Sequence, residues 1–238
     1  MKQIKRLYNY FTATERILWF ISVLVIIGSA ALLGGWSTLS VFTSVLGTTA
    51  LILNAKANPA GQALTIVFSL LYAVISYSFK YYGEMITYLG MTLPMAAFSL
   101  AVWLRHPYGG KKSEVEICKI SLKEQLVMWL LNAVVTGVFY FILKLLGTAN
   151  LIPSTISVTT SFAAAYLTAR RSPYYALAYA ANDIVLTVLW TSATLADIKY
   201  LSVTVCFSAF LANDIYGFIS WQRIARRQAA GGKATACK

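Results

Sequence analysis

The chain is poor in charged residues, which make up only 12% of its 238 residues, whereas hydrophobic residues make up 58%. Soluble domains carry roughly 25% charged residues. The mean hydropathy is +0.66, which is high because hydrophobic residues are frequent and charged residues are few. This composition excludes an ordinary soluble enzyme and predicts an integral membrane protein.

Histidine and cysteine are also scarce. A single histidine, His106, excludes a histidine-rich metal cluster, and Cys118, Cys206 and Cys237 show no spacing typical of a zinc site or a disulfide framework. We therefore expect free thiols, no metal and no cofactor. The phosphate-binding motif G-x-x-x-x-G-K-[ST] is missing too, which argues against an ATP-driven pump.

Basic residues outnumber acidic ones by 12 and lie at the ends of apolar segments. This distribution excludes nucleic acid as a partner and indicates a membrane topology signal. With a cytoplasmic amino terminus and eight crossings, 17 Lys and Arg residues lie inside and 3 outside. We expect a multi-pass protein of the plasma membrane, surrounded by lipid, with both termini in the cytoplasm.

Eight apolar segments approach the length of about 20 residues that a spanning helix needs. The predicted helices are Ile17–Leu33, Trp36–Asn54, Gly61–Phe79, Met85–Leu104, Gln125–Leu146, Ile152–Ala169, Tyr174–Leu195 and Ile198–Ser220. The second and sixth are rich in Ser and Thr, which suits helices that face protein rather than lipid.

Weak internal matches suggest a repeat. A shift of 114 residues places parts of Leu53–Pro59 on Leu167–Pro173, and a shift of 118 places Trp103 on Trp221. The predicted fold is an all-α membrane protein with two parallel three-helix repeats, joined by a linker helix and preceded by an extra N-terminal helix. Its predicted division is 17–33 for the extra helix, 36–105 for repeat 1, 106–147 for a cytoplasmic loop and the linker, 152–222 for repeat 2 and 223–238 for a basic cytoplasmic tail.

The tetrapeptide Ala-Asn-Asp-Ile occurs twice, and it contributes Asn182 and Asp183 once and Asn213 and Asp214 once. The two acids lie 15 and 16 residues from Ile198 in the predicted outer turn. Both therefore lie roughly 22–24 Å below that turn. Ionisable residues inside a membrane are rare and mark candidate functional sites. The two pairs are predicted to form one polar layer across two helices.

Aromatic residues accompany this layer. Tyr175, Tyr179 and Asn182 follow one helical stripe, and Tyr216 shares a face with Asn213. Amide, carboxyl and phenol groups beside flat rings suit a small planar ligand that bears hydroxyls and an amide. The alternative is that the asparagines only tie helices together and the terminal aromatics are interfacial anchors.

The segment NDIYGFISW, Asn213–Trp221, resembles the carboxy-terminal N-x-x-Y-G-x-x-x-W signature of PnuC-type vitamin transporters, and KANPAG and Tyr72 also fall where that family places them. The resemblance implies a fold like that of the SWEET sugar transporters, uptake of nicotinamide riboside by facilitated diffusion, and a homotrimer. It also implies that Asn182, Asn213 and Tyr216, with Tyr72, belong to the substrate site.

The seventh helix departs from the family pattern W-x-x-W-x-x-x-N. Here the window is YALAYAAN, with Tyr175 in the first aromatic place, Ala178 in the second and Tyr179 one position later. A missing tryptophan removes a stacking surface, so thiamine, riboflavin or a deoxynucleoside are alternative ligands. A proton-coupled carrier that uses Asp183 or Asp214 is a further alternative.

Two other classes of protein fit the sequence less well. An intramembrane aspartyl protease would also use two acids at equal depth, but both acids here follow Asn rather than standing in a G-x-G-D context. A purely structural subunit would bind no ligand. The sequence therefore predicts a transporter and not an enzyme, working by alternating access with Pro94 as the best hinge and a cytoplasmic enzyme trapping the ligand.

Overall fold

The structure is a computed structural model, and it describes residues 10–32, 38–78, 82–148, 150–196, 198, 201–231 and 235–236. Long helices dominate this part of the chain, because a backbone in lipid must satisfy its own hydrogen bonds. They are α1 (Ala13–Leu32), α2 (Thr38–Ala55), α3 (Pro59–Ser78), α4 (Tyr82–Arg105), α5 (Leu122–Leu145), α6 (Leu151–Ala169), α7 (Tyr175–Ala196) and α8 (Leu201–Ala230).

These elements confirm the predicted all-α fold of eight helices, with most ends within a few residues of the prediction. Several predicted ends and the outer turn at Asp197 lie outside the described residues. The largest difference is at α8, which continues to Ala230 through part of the predicted tail. It continues because Ile224 and Ala225 still pack against a buried cluster.

Six helices in the described part of the chain, α1 to α5 and α8, are long and apolar enough to cross a membrane. The other two, α6 and α7, carry more polar residues. In α6, 10 residues are buried, and α7 packs mainly against α6 and α8. Several of their polar side chains, namely Ser154, Ser157, Thr168, Asn182 and Asp183, are buried in protein, which explains how a helix of low hydropathy is accommodated.

Helix α4 contains a π-helical segment, Tyr88–Thr92, just before Pro94. The backbone N–H of Leu93 donates to the carbonyl of Tyr88, five residues earlier. Such a bulge adjusts the hydrogen-bond register where a proline cannot donate. The predicted hinge position therefore coincides with the irregular part of α4.

The turns α2–α3 and α6–α7 have the same geometry 114 residues apart. Ala57 and Arg171 both adopt the left-handed conformation, each with φ 55°. In both turns the next amide N–H donates to the carbonyl five residues earlier, at 3.1 and 2.9 Å. This is a helix C-terminal motif that satisfies free carbonyls. The equivalence supports the interpretation of α2–α4 and α6–α8 as two repeats.

The segment between α4 and α5 connects these two turns. The N–H of Val115 donates to the carbonyl of Ala57 (2.8 Å), and the N–H of Cys118 donates to the carbonyl of Arg171 (3.2 Å). From α8, the buried amide of Gln228 donates to the carbonyl of Val115 (3.1 Å). We call this end of the bundle, with both turns and residues 106–121, the loop end.

Two short strands also meet at the loop end. Strand β1 (Cys118–Lys119) pairs in parallel with β2 (Thr235–Ala236), which brings the end of the chain beside Cys118. The expectation of free thiols is wrong for Cys118, which is disulfide-bonded, and correct for Cys206, which is free and buried. Cys237 lies outside the described residues. Cysteine spacing in the sequence does not reveal this bond.

Candidate functional site

A cavity of about 80 Å³ lies inside the helix bundle. Both predicted repeats contribute to it, with amide, carboxyl, hydroxyl and aromatic groups. Its described lining includes the following side chains with polar or aromatic groups: Asn54, Gln62, Thr65, Phe68, Tyr88, Thr92, Ser161, Tyr175, Tyr179, Asn182, Asp183, Phe207, Phe210 and Asp214. An enclosed site with a few polar groups among aromatic rings is the usual form of a small-molecule site.

Five residues predicted from the sequence line this cavity, namely Tyr175, Tyr179, Asn182, Asp183 and Asp214. All but one come from α7, where the predicted stripe faces inward. The fifth comes from α8, which packs directly against α7. Asn182, Asp183 and Asp214 are each at most 5% exposed. The structure thus brings one Asn–Asp pair and the second acid into a single polar layer.

The Asn182 amide is oriented by α6. Its Oδ1 accepts hydrogen bonds from the hydroxyls of Ser157 (3.1 Å) and Thr160 (2.8 Å). With the carbonyl oxygen used in this way, the remaining hydrogen-bonding group of the side chain is its NH₂ donor. Two hydroxyls therefore fix the orientation of the Asn182 amide.

The carboxyl groups of Asp183 and Asp214 approach each other across α7 and α8. The Oδ2 atom of Asp183 is buried and makes no hydrogen bond. The described residues that line the cavity include no Lys or Arg. A carboxylate here has no cationic partner among these lining residues, and burying a charge without a partner is costly.

The first repeat supplies amides that were not predicted from the sequence. Gln62 Nε2 donates to Asn54 Oδ1 (2.9 Å), and Asn54 Nδ2 donates to Thr65 Oγ1 (3.3 Å). These three residues from α2 and α3 line the cavity. Asn54 and Gln62 lie on either side of a tight turn, each next to an apolar run. Because polar side chains beside or inside such runs are candidate site residues, this position could have identified both amides from the sequence.

Two residues of the carboxy-terminal signature lie elsewhere. Asn213 Nδ2 donates to Ser22 Oγ (2.9 Å), and the Tyr216 hydroxyl donates to Glu15 Oε1 (3.1 Å). Glu15 also pairs with Lys56 at 3.1 Å. Asn213 and Tyr216 thus point to the extra N-terminal helix α1 and are absent from the described cavity lining. Here they hold α1 against α8.

Tyr72 lies one layer behind the cavity wall. Its ring lies 5.6 Å from the Phe68 ring, in a stacked arrangement, and 4.4 Å from the Tyr88 ring. Phe68 and Tyr88 line the cavity, whereas Tyr72 is absent from the described lining. Tyr72 therefore supports two wall residues instead of facing the space.

Two buried clusters close the cavity on opposite sides. Tyr175 belongs to the cluster at the loop end, and Phe68, Phe207 and Phe210 belong to the other cluster. All four residues line the cavity. In this conformation, which we call the closed state, the described residues of the two clusters cover the cavity from both sides.

Two tryptophans tie the repeats together at the loop end. Trp103 Nε1 donates to the carbonyl of Thr168 (2.9 Å), and Trp221 Nε1 donates to the carbonyl of Asn54 (2.7 Å). Each bond runs from the last helix of one repeat to the first helix of the other. Both indoles are 0% exposed, and their rings lie 5.4 Å apart.

Comparison with known proteins agrees with this architecture. A family model described as nicotinamide mononucleotide transporter matches residues 37–223. The chain is similar to the nicotinamide riboside transporter PnuC of Neisseria mucosa, with 25% identity over 227 residues (94% of this chain and 86% of that protein). It is also similar to the nicotinamide riboside transporter PnuC of Haemophilus influenzae, with 21% identity over 192 residues (80% and 82%).

Among solved structures, the chain resembles the crystal structure of the vitamin B3 transporter PnuC. The TM-score is 0.78 at 23% identity, covering 92% of this chain and 94% of that one. This match shows a shared fold. The resemblance to PnuC-type transporters is thereby confirmed, together with the prediction of a multi-pass membrane protein that is not an enzyme. The chain belongs to the nicotinamide mononucleotide transporter family of membrane transporters.

Proposed function

We propose that this transporter carries nicotinamide riboside by facilitated diffusion. The observation that carries the proposal is the enclosed cavity in which amides of both repeats meet aromatic rings. The amides of Asn54, Gln62 and Asn182 suit the carboxamide and ribose hydroxyls of this ligand, and aromatic rings suit its planar ring. The names of the two PnuC relatives support the same ligand.

Electrostatics favour the riboside over its phosphorylated form, nicotinamide mononucleotide. A phosphate group is normally bound by Arg, Lys or backbone N–H groups. The described cavity lining holds Asp183 and Asp214 and neither Lys nor Arg. Two acids beside a phosphate would repel it, so the uncharged hydroxymethyl group of the riboside fits better.

The size of the cavity supports alternating access. Small-molecule sites typically occupy about 300–1,000 Å³, whereas the cavity here is about 80 Å³. Ligand entry therefore needs the helices to move apart. In our proposal the two repeats rock about the cavity, and the π-helical segment before Pro94 allows α4 to bend.

The identity of the ligand is tested by measuring thermal stabilisation of the purified protein. Nicotinamide riboside should raise the melting temperature more than nicotinamide mononucleotide, thiamine, riboflavin or a deoxynucleoside, because binding to the folded state alone stabilises it. Stabilisation by one of the other compounds instead would reject nicotinamide riboside and identify the alternative.

The mode of transport is tested in proteoliposomes. Facilitated diffusion should bring labelled ligand to equal concentrations on both sides, whether or not a pH gradient is imposed. The facing carboxyls of Asp183 and Asp214 favour a second candidate, a proton-coupled carrier. Accumulation above equilibrium that depends on the pH gradient would establish that candidate. In the cell, we propose that a cytoplasmic enzyme traps the ligand.

The same proposal includes the membrane, the oligomeric state and the orientation of the protein. We place it in the plasma membrane as a homotrimer, with both termini and the loop end in the cytoplasm. A cysteine label within residues 111–116 should react from the cytoplasmic side only. Reaction from outside would reverse the orientation.

The hydrogen bonds of Trp103 and Trp221 between the repeats are expected to hold the loop end closed. Trp221→Phe keeps an aromatic ring, although a smaller one, but removes the indole N–H that bonds to the Asn54 carbonyl. Loss of one buried hydrogen bond should weaken the closed state by about 1 kcal/mol. Hydrogen–deuterium exchange in the α2–α3 turn should then be about fivefold faster.

The matched control for this variant is Trp129→Phe, because the Trp129 side chain on α5 is 56% exposed. Exchange in the α2–α3 turn should not change in that control. Equal exchange in Trp221→Phe and the wild-type protein would show that the tie does not hold the loop end closed.

A further inference from the structure

Two acidic side chains of the cavity have no counter-charge among the described residues that line it. Asp183 on α7 and Asp214 on α8 are each 4% exposed, and both line the cavity. Their carboxyl groups approach each other, and Asp183 Oδ2 is buried without a hydrogen bond. A buried, unpaired acceptor that faces an enclosed space is a position for a ligand to complete.

Two basic residues of the bundle, Lys56 and Arg170, form ion pairs at the loop end. Lys56 forms an ion pair with Glu15 at 3.1 Å, and Arg170 pairs with Glu124. The described lining of the cavity contains no basic residue. A positive charge beside the two aspartates would therefore come from a ligand in the cavity and not from the described residues that line it.

Aromatic rings surround the same space. Phe68, Tyr88, Phe207 and Phe210 line the cavity together with the two acids. The centroid of the Phe68 ring lies 6.0 Å from the ring centroids of both Tyr88 and Phe210. The faces of aromatic rings attract cations, most strongly when water is excluded. Carboxylates and aromatic faces together favour a flat, positively charged group.

We infer that Asp183 and Asp214 are specificity-determining residues that select ligands with a cationic planar ring. This inference rests on the proposed function and deepens it, because the pyridinium ring of nicotinamide riboside carries one positive charge. The reduced form, dihydronicotinamide riboside, has the same carboxamide and ribose but a neutral ring. By the same criterion, thiamine, which is cationic, should bind more tightly than neutral riboflavin or deoxynucleosides among the alternative ligands.

The experiment compares the two forms of the riboside on purified protein. Affinities for nicotinamide riboside and for its reduced form are measured for the wild type, Asp183→Asn and Asp214→Asn. The wild type should bind the cationic form more tightly. Each Asn variant should lose about tenfold or more in affinity for the cation, while its affinity for the neutral form stays within about threefold.

Glu84→Gln is the matched control, because it also removes a carboxyl group from a helix but Glu84 is absent from the described cavity lining. Its selectivity should equal that of the wild type. Equal losses for both ligands in the Asp variants, or no loss for the cation, would overturn the inference while leaving the proposed function intact. No binding of either form by the wild type would reject the proposed function and the inference together.

Discussion

Asn182→Ala and Asn213→Ala are expected to have different effects, although both replace the asparagine of the same tetrapeptide. Asn182 lines the cavity, with its amide held by two α6 hydroxyls. Its removal leaves a polar group of the ligand unpaired, which costs about 1–3 kcal/mol. Affinity should therefore fall by roughly five- to more than a hundredfold, with the protein still folded and inserted.

Asn213→Ala should instead reduce stability. The Asn213 amide bonds to Ser22 of α1, and hydrogen bonds between helices in membranes average about 0.6 kcal/mol. Ligand affinity should stay within about twofold. Affinity and melting temperature are measured for both variants. Unchanged affinity in Asn182→Ala, or a large loss of affinity in Asn213→Ala, would contradict the positions that the structure gives these residues.

Gly61→Ala is expected to destabilise the protein severely. A Cβ at Gly61 would lie 2.2 Å from Asn54 Oδ1 and 2.6 Å from the Asn54 backbone N. The backbone of α2 cannot move away without disturbing the α2–α3 turn, so the cost should reach about 3 kcal/mol or more. The gain in helix propensity, about 1 kcal/mol, is too small to offset this. The melting temperature and the yield of folded protein should both fall.

Gly28→Ala is the control for this substitution. A Cβ at Gly28 on α1 would meet nothing within 4 Å, so the variant should be as stable as the wild type or up to about 1 kcal/mol more stable. Because Asn54 lines the cavity, any folded Gly61→Ala protein should also bind ligand weakly. A Gly61→Ala protein with wild-type stability and affinity would refute the close contact between α2 and α3.

Helix number and approximate helix ends were predictable from the sequence. Lipid offers no hydrogen bonds to the backbone, so each crossing needs a long apolar run that local composition reveals. The acids Asp183 and Asp214 were predictable for the same reason, because a carboxyl group inside such a run stands out. Their common depth follows from counting residues along two neighbouring antiparallel helices.

The direction in which each polar side chain points was less predictable. Asn213 and Asp214 are neighbours in sequence, but successive residues of a helix point about 100° apart. The structure turns Asp214 into the cavity and Asn213 towards Ser22. Which of the two faces the cavity depends on how α8 is rotated between α1 and α7, and hydropathy does not determine that rotation.

The amino-acid sequence alone indicated eight membrane helices and two buried acids, because burial in lipid constrains composition locally, and its carboxy-terminal motif indicated the transporter family. The amides of the first repeat, the tryptophan ties and the bonded Cys118 became visible only in the folded chain. The bond from Trp221 to Asn54 (2.7 Å) joins residues 167 positions apart. Contacts of this kind arise from the packing of whole helices, in which the rotation and tilt of each helix depend on all its neighbours.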